Sequence, residues 1–108
     1  MIDLRKIQEE HKAWQDRNFT NAEPWECVVG AQEELGELCH TFLKAHQGIR
    51  GKHRVLPDAD NQTVFSVEAK DAIGDIIIFL MGLCSMYGWD LENILEITWS
   101  EVSQRKWR

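Results

Sequence analysis

Between Ile73 and Leu83 the chain is apolar at almost every position, and Asp75 stands inside that run. A run this short does not cross a hydrocarbon core, which takes about 20 apolar residues. A helix apolar on nearly every side belongs at the centre of a fold. A carboxylate placed there is costly to desolvate unless something compensates it. The chain must therefore build a core around this segment and also find a role or a partner for Asp75, which the pattern places deep.

The same conflict occurs earlier. In QEELGELCH, residues 32–40, Glu33, Glu34 and Glu37 sit among Val28, Val29, Ala31, Leu35 and Leu38. Hydrophobic periodicity predicts four helices and no strand. The first spans about residues 3–17, with Leu4, Ile7, His11 and Trp14 at helical spacing. Residues 18–24 form a connector, and Pro24 suits the first turn of the next helix. The second helix spans about 23–46, with Trp25, Val28, Leu35, Leu38 and Phe42 as its buried stripe and Gly48 as its stop. Residues 48–62 carry Gly48, Gly51, Pro57, Asp58 and Asn61 without periodicity, a long loop of the kind that is usually functional. A third helix starts at the N-cap Thr63 and ends before Gly88. Asp90 caps a fourth, about 91–106, with Leu91, Ile94, Leu95, Thr98 and Val102 inward. The expected architecture is a single all-α domain, residues 1–108, folded as an antiparallel four-helix bundle.

A net charge of −6 argues against a binder of polymeric nucleic acid, which needs a basic face. It leaves a nucleotide substrate open, because bound cations invert the local field. Cys27, Cys39 and Cys84 are odd in number and lack CxxC spacing. They read as buried thiols of a reducing cytoplasm rather than disulfides or zinc ligands. Met1 to Lys12 is charged and amphipathic, unlike a secretory leader, and no membrane association is expected.

On a helix, Glu34 and Glu37 at i,i+3 share a face, as do Glu33 and Glu37 at i,i+4. Asp71 and Asp75 are also at i,i+4, and Glu68 lies on the same side. If the second and third helices pack side by side, two acidic faces converge. Converging carboxylates repel, and a hard divalent cation such as Mg²⁺ or Mn²⁺ removes the conflict through oxygen ligands. Taken singly, Glu33 and Glu68 are also ordinary solvated helix residues. For Asp75 the alternative is a structural ion pair with Lys44, Lys70 or an arginine. Gly36 and Gly74 lower helix propensity; they allow close approach of either a neighbouring helix or a substrate.

The segments EELGEL and KDAIGDIIIFL, separated by a loop, resemble the MazG-like family of all-α nucleoside triphosphate pyrophosphohydrolases. The likeness extends to Trp14, Arg17, Asn18 and Phe19, to LKAHQGIRG, and to the closing WSEVSQRKW, and so covers most of the chain. That family carries ExxE on one helix and ExxD on the next. Glu34 and Glu37 match the first motif, with Glu33 as the preceding acid, and Asp75 matches the final aspartate. The chain departs at Ala72, where the family usually has glutamate. Asp71 is the replacement ligand on this reading, and Glu68 with Asp71 spells an alternative ExxD one turn upstream.

The resemblance implies Mg²⁺-dependent (or Mn²⁺-dependent) hydrolysis of an NTP or dNTP to the monophosphate and pyrophosphate, a nucleotide-pool housekeeping reaction. It also implies a homo-oligomer, dimer or tetramer. Glu34, Glu37, Asp71, Asp75 and Glu68 would hold metal, and Glu33 or Glu34 would take a proton from the attacking water. Lys44, Arg50, Lys52, Arg54, Arg105 and Lys106 are candidate phosphate contacts, each equally readable as a solvated charge. Trp14, Phe19 and Trp25 are candidates for stacking on a base, against the plainer reading as core. Two other classes compete. A ferritin-like di-iron protein would use Glu37 and His40 as one ExxH, but it needs a second, and Gly74 and Ile78 stand three residues after Asp71 and Asp75. A helical interaction module without turnover would have no need of the intact EELGE or of Asp75.

Overall fold

A computed structural model of the chain describes residues 1–47 and 64–106. Among them the regular structure is four helices and no strand: α1 Leu4–Asn18, α2 Pro24–Gln47, α3 Val64–Met86 and α4 Leu91–Val102. The expected stop at Gly48, the long loop, the Thr63 cap and the three cations Arg50, Lys52 and Arg54 lie outside the described residues. No single helix among the described residues is long and apolar enough to cross a membrane. The chain divides into two compact units, Met1–Pro24 with Met81–Arg108, and Trp25–Leu80.

In the first unit every helix end is tied down. Asp3 caps α1, accepting from Lys6 N at 3.1 Å. The C-terminus of α3 closes on Gly88, whose φ of 70° is left-handed. Gly88 N donates to Ser85 O at 3.2 Å and Trp89 N donates to Cys84 O at 2.8 Å, the two bonds that satisfy the last carbonyls of a helix at such a glycine. Asp90 then caps α4 through Glu92 N at 3.0 Å. Gln8 of α1 reaches this corner and uses both ends of its amide. Its Oε1 accepts from Leu91 N at 3.0 Å, and its Nε2 donates to Trp89 O at 2.8 Å and Ser85 Oγ at 3.3 Å. Arg5 pairs with Asp90 at 2.9 Å and Glu92 at 2.7 Å. Beneath these bonds lie Met81, 1% exposed, with Cys84 and Gln15.

In the second unit α2 and α3 run antiparallel. Phe42 meets Phe65 edge-on at 4.9 Å towards one end, and at the other a Cβ on Gly30 would overlap the Phe79 ring. The buried side chains here are all small: Cys27, Ala31, Thr41 and Ala45 on α2, and Ser66, Ala69 and Ala72 on α3.

That seam reverses the expected one. Trp25 (62% exposed), Val28, Leu35 and Phe42 face outward and Leu38 is half-buried, so the stripe predicted for α2 is not its buried face. Nor is α3 buried all round, for Ile73 (48% exposed), Ile77, Ile78, Phe79 and Leu80 are open. Small side chains let two helices approach closely, and their large neighbours are turned to the flanks. On α4, Leu95 and Thr98 are exposed and Leu91 and Val102 only half-buried, so the expected inward face is partial. That helix also stops at Val102, not near 106, because Gln104 N and Arg105 N bond three residues back, to Glu101 O and Val102 O. Cys27 and Cys84 are buried as expected, but Cys39 is exposed.

The glycines separate cleanly. Gly36 and Gly74 have open space where a Cβ would stand, so neither mediates a helix contact within the described residues. Gly88→Ala forces an L side chain into the left-handed region and should cost about 1–2 kcal/mol, read from urea midpoints. Gly36→Ala should raise stability by up to about 1 kcal/mol. Equal losses at both positions would contradict this geometry.

Candidate functional site

The antiparallel register brings the acidic faces of α2 and α3 together. It sets Glu34 opposite Asp75 and Glu37 opposite Ala72. Both Glu34 and Asp75 are half-buried at the flank of the small-residue seam. Asp75 is thus less deep than the apolar run suggests, because its neighbours Ile73, Ile77 and Ile78 are themselves open. Among the described residues it forms no ion pair; the three pairs found are Arg5 with Asp90, Arg5 with Glu92, and Lys12 with Asp16.

Glu34 registers the crowding. Its carboxyl is held above its ordinary value, first by burial, then by the charge of Glu37, then by Asp75, by a hydrogen bond with Glu37, and by Asp71. Three carboxyls, from both helices, therefore act on Glu34. Beside them opens a cleft of about 610 Å³ lined by Glu33, Gly36, Glu37, His40, Thr41, Glu68, Asp71 and Ala72. Glu37 and Asp71 belong to both groupings, and so join the Glu34–Asp75 pair to the cleft. At the cleft wall Thr41 is buried, donates to Glu37 O at 3.0 Å, and lies 3.5 Å from Glu68 Oε2. Open space at Gly36 keeps the α2 side of the cleft wide.

The departure at Ala72 has a structural counterpart. Ala72 is 4% exposed and packs in the seam, whereas Asp71 is exposed at the cleft. The carboxylate available on this side of α3 is thus the neighbouring one, and Glu68 lies a turn before it on the same cleft.

For a divalent cation the fit is one of donor chemistry. The donors are hard carboxylate oxygens, and the like charge that raises the Glu34 carboxyl is what a cation would relieve. Among the described residues no three His, Cys, Asp or Glu side chains approach closely enough to hold a metal as they stand. Holding one would take rotation of exposed side chains such as Glu37 and Asp71.

The other expected contacts are scattered. Lys44 is half-buried on α2 and is not among the described lining residues. Trp25 is exposed at the start of α2. Trp14, Phe19 and Arg105 belong to the first unit, where Trp14 and Phe19 pack edge-on at 5.6 Å. The sequence suggested no cleft role for Thr41, and His40 entered there only as half of an ExxH with Glu37. Both follow Glu33 and Glu37 at helical spacing, which was the available signal.

Comparison of the chain with protein-family models, with curated proteins and with solved structures found no match.

The raised carboxyl makes a signed prediction. Glu34 takes up a proton more readily in the folded chain than its ordinary 4.5, so ionising it destabilises the fold. Its contribution is present below that value and lost as pH rises through the higher folded one. In EDTA, Glu34→Gln should therefore be more stable than wild type near neutral pH, and the advantage should vanish near pH 4. A variant less stable at neutral pH would contradict the repulsive cluster.

Proposed function

We propose that this chain is a MazG-like pyrophosphohydrolase, hydrolysing a nucleoside triphosphate to the monophosphate and pyrophosphate with a divalent cation. The observation that carries this reading is the convergence of Glu34 with Glu37, Asp75 and Asp71 from two facing helices. The carboxyls that meet are those the sequence resemblance singles out, with Asp71 standing in where Ala72 interrupts the motif. Glu37, Asp71 and Asp75 would hold Mg²⁺ or Mn²⁺, with Glu34 and Glu68 at the edge. Bound there, the cation would neutralise phosphate charge and lower the pKa of a bound water.

The chain's own residues do the remaining work. A carboxylate held above its usual range is a stronger base, so Glu34 suits proton removal from the attacking water. Glu33, exposed on the cleft wall, is the second candidate. The open space at Gly36 leaves room for phosphates beside the acids. Cations for the outer phosphates are proposed from Lys44, Arg50, Lys52, Arg54 and Arg105, and base stacking from Trp14, Phe19 and Trp25.

Assembly belongs to the same proposal. Ile73, Ile77, Ile78, Val28 and Phe42 leave apolar surface open on α2 and α3. These side chains are about half exposed, so covering each is worth roughly 1 kcal/mol, which favours a second copy of the chain and a four-helix bundle built across the two.

Purified protein should release pyrophosphate from at least one canonical or modified nucleotide with Mg²⁺ or Mn²⁺, and not in EDTA. Glu34→Gln should lower turnover by about 10²–10⁴-fold. No turnover across the whole panel would overturn the activity. Sedimentation at micromolar concentration should give a dimer or tetramer, and Ile73→Glu with Ile77→Glu should give a monomer. A wild-type monomer would overturn the assembly.

A further inference from the structure

His11 sits where α1 crosses the last turns of α3. Its ring lies against Gly82: a Cβ there would stand 3.1 Å from His11 Cε1. Gln15 Oε1 stands closer still to that point, and the two side chains together fill space that any other residue at 82 would claim. Trp14 packs on it with ring centroids 5.6 Å apart and planes tilted by 38°. One turn on, the buried Gln15 donates from Nε2 to Gly82 O at 3.4 Å. Among the described residues, His11 Nδ1 is the one buried side-chain nitrogen or oxygen without a hydrogen-bond partner.

A neutral imidazole tolerates this site, because one ring nitrogen carries only a lone pair. Protonation turns both nitrogens into donors and adds a charge, and Nδ1 has no acceptor to meet. We propose that His11 is an acid-sensitive latch, so that α1 stays seated on the C-terminal turns of α3 only while the ring is neutral.

The charged groups nearby offer the cation no relief. On α1 itself, Lys12 is paired with Asp16 at 2.8 Å, and Glu9 and Glu10 are exposed. On the last turns of α3 the titratable side chain is Cys84, whose thiol is pushed up by burial and by Asp90. On α4, Glu92 and Glu96 act on Arg5. Glu23 is exposed in the connector. None of them acts on His11, whose ring is pushed towards the neutral form by burial alone.

The sign follows from linkage. The unfolded chain takes up a proton near the ordinary value of 6.5, and the folded chain only at lower pH. Stability is therefore full above that value and is lost as pH falls below it, the unfolding constant rising by up to about tenfold per pH unit.

The test uses the full chain without added metal. Imidazole NMR signals of its four histidines are followed against pH, with His11 assigned by its loss in His11→Gln. Urea midpoints are measured in parallel, from about pH 7.5 to about pH 5.5, for wild type, His11→Phe and His40→Gln. His11 should titrate below its ordinary value of 6.5. The midpoint should fall with pH in wild type and His40→Gln, and much less in His11→Phe. Carboxylate effects, shared by all three proteins, cancel in that difference. His11 titrating at or above its ordinary 6.5, or an unchanged slope in His11→Phe, would overturn the latch. If His11→Phe does not fold, the wild-type titration decides alone.

Discussion

Alanine, serine, threonine and cysteine are the side chains that α2 and α3 bury, and across the same pair of helices Glu34 feels the charge of Asp75. With leucines in the seam the helices would stand further apart and the carboxyls would act on one another less, since charge interactions fall with distance. The same seam turns Trp25, Phe42, Ile73 and Ile77 outward. One packing choice thus produces both the crowded acids and the uncovered apolar flanks. In the proposed enzyme each strain is relieved by something the single chain lacks, a cation for the first and a second copy for the second.

The two units differ in how completely they satisfy their own groups. In the first, Gln8 occupies three partners at the α3–α4 corner, Arg5 serves two carboxylates, and Gly88 closes the helix end. Apart from His11 Nδ1, little there is left without a partner among the described residues. In the second, half-buried acids repel and have no cation paired to Asp75 among the described residues. Local polar order of this kind favours a stable frame, whereas unresolved like-charge crowding is what binding sites tend to keep.

Much of the architecture was legible from spacing. The helix starts follow from Asp3, Pro24 and Asp90 and the end of α3 from Gly88, because capping is a local property of a few residues. The pairing of Glu34 and Glu37 with Asp71 and Asp75 was legible too, since i,i+3 and i,i+4 spacing defines a face. Which face of α2 is buried was not. Large apolar residues and small ones both recur at helical spacing, and the choice between them rests on how closely the partner helix approaches. For the same reason Gly30 and Gly82, the two close-approach glycines, went unremarked while Gly36 and Gly74 drew the attention. Hydrophobic runs report what can be buried in the assembled protein, so reading Ile73–Leu83 as a deep segment overstated the burial of Asp75 within one chain.

Thermal unfolding of wild type and Asp75→Asn, each in EDTA and in Mg²⁺, tests the acidic cluster most directly. As one member of a repulsive set that binds a cation, Asp75→Asn should be at least as stable as wild type in EDTA, because a like charge is gone. It should also gain less from Mg²⁺, since a ligand stabilises only the form that binds it. A loss of about 3–5 kcal/mol in EDTA, with the response to Mg²⁺ unchanged, would instead mark Asp75 as half of a structural ion pair and contradict the proposed site.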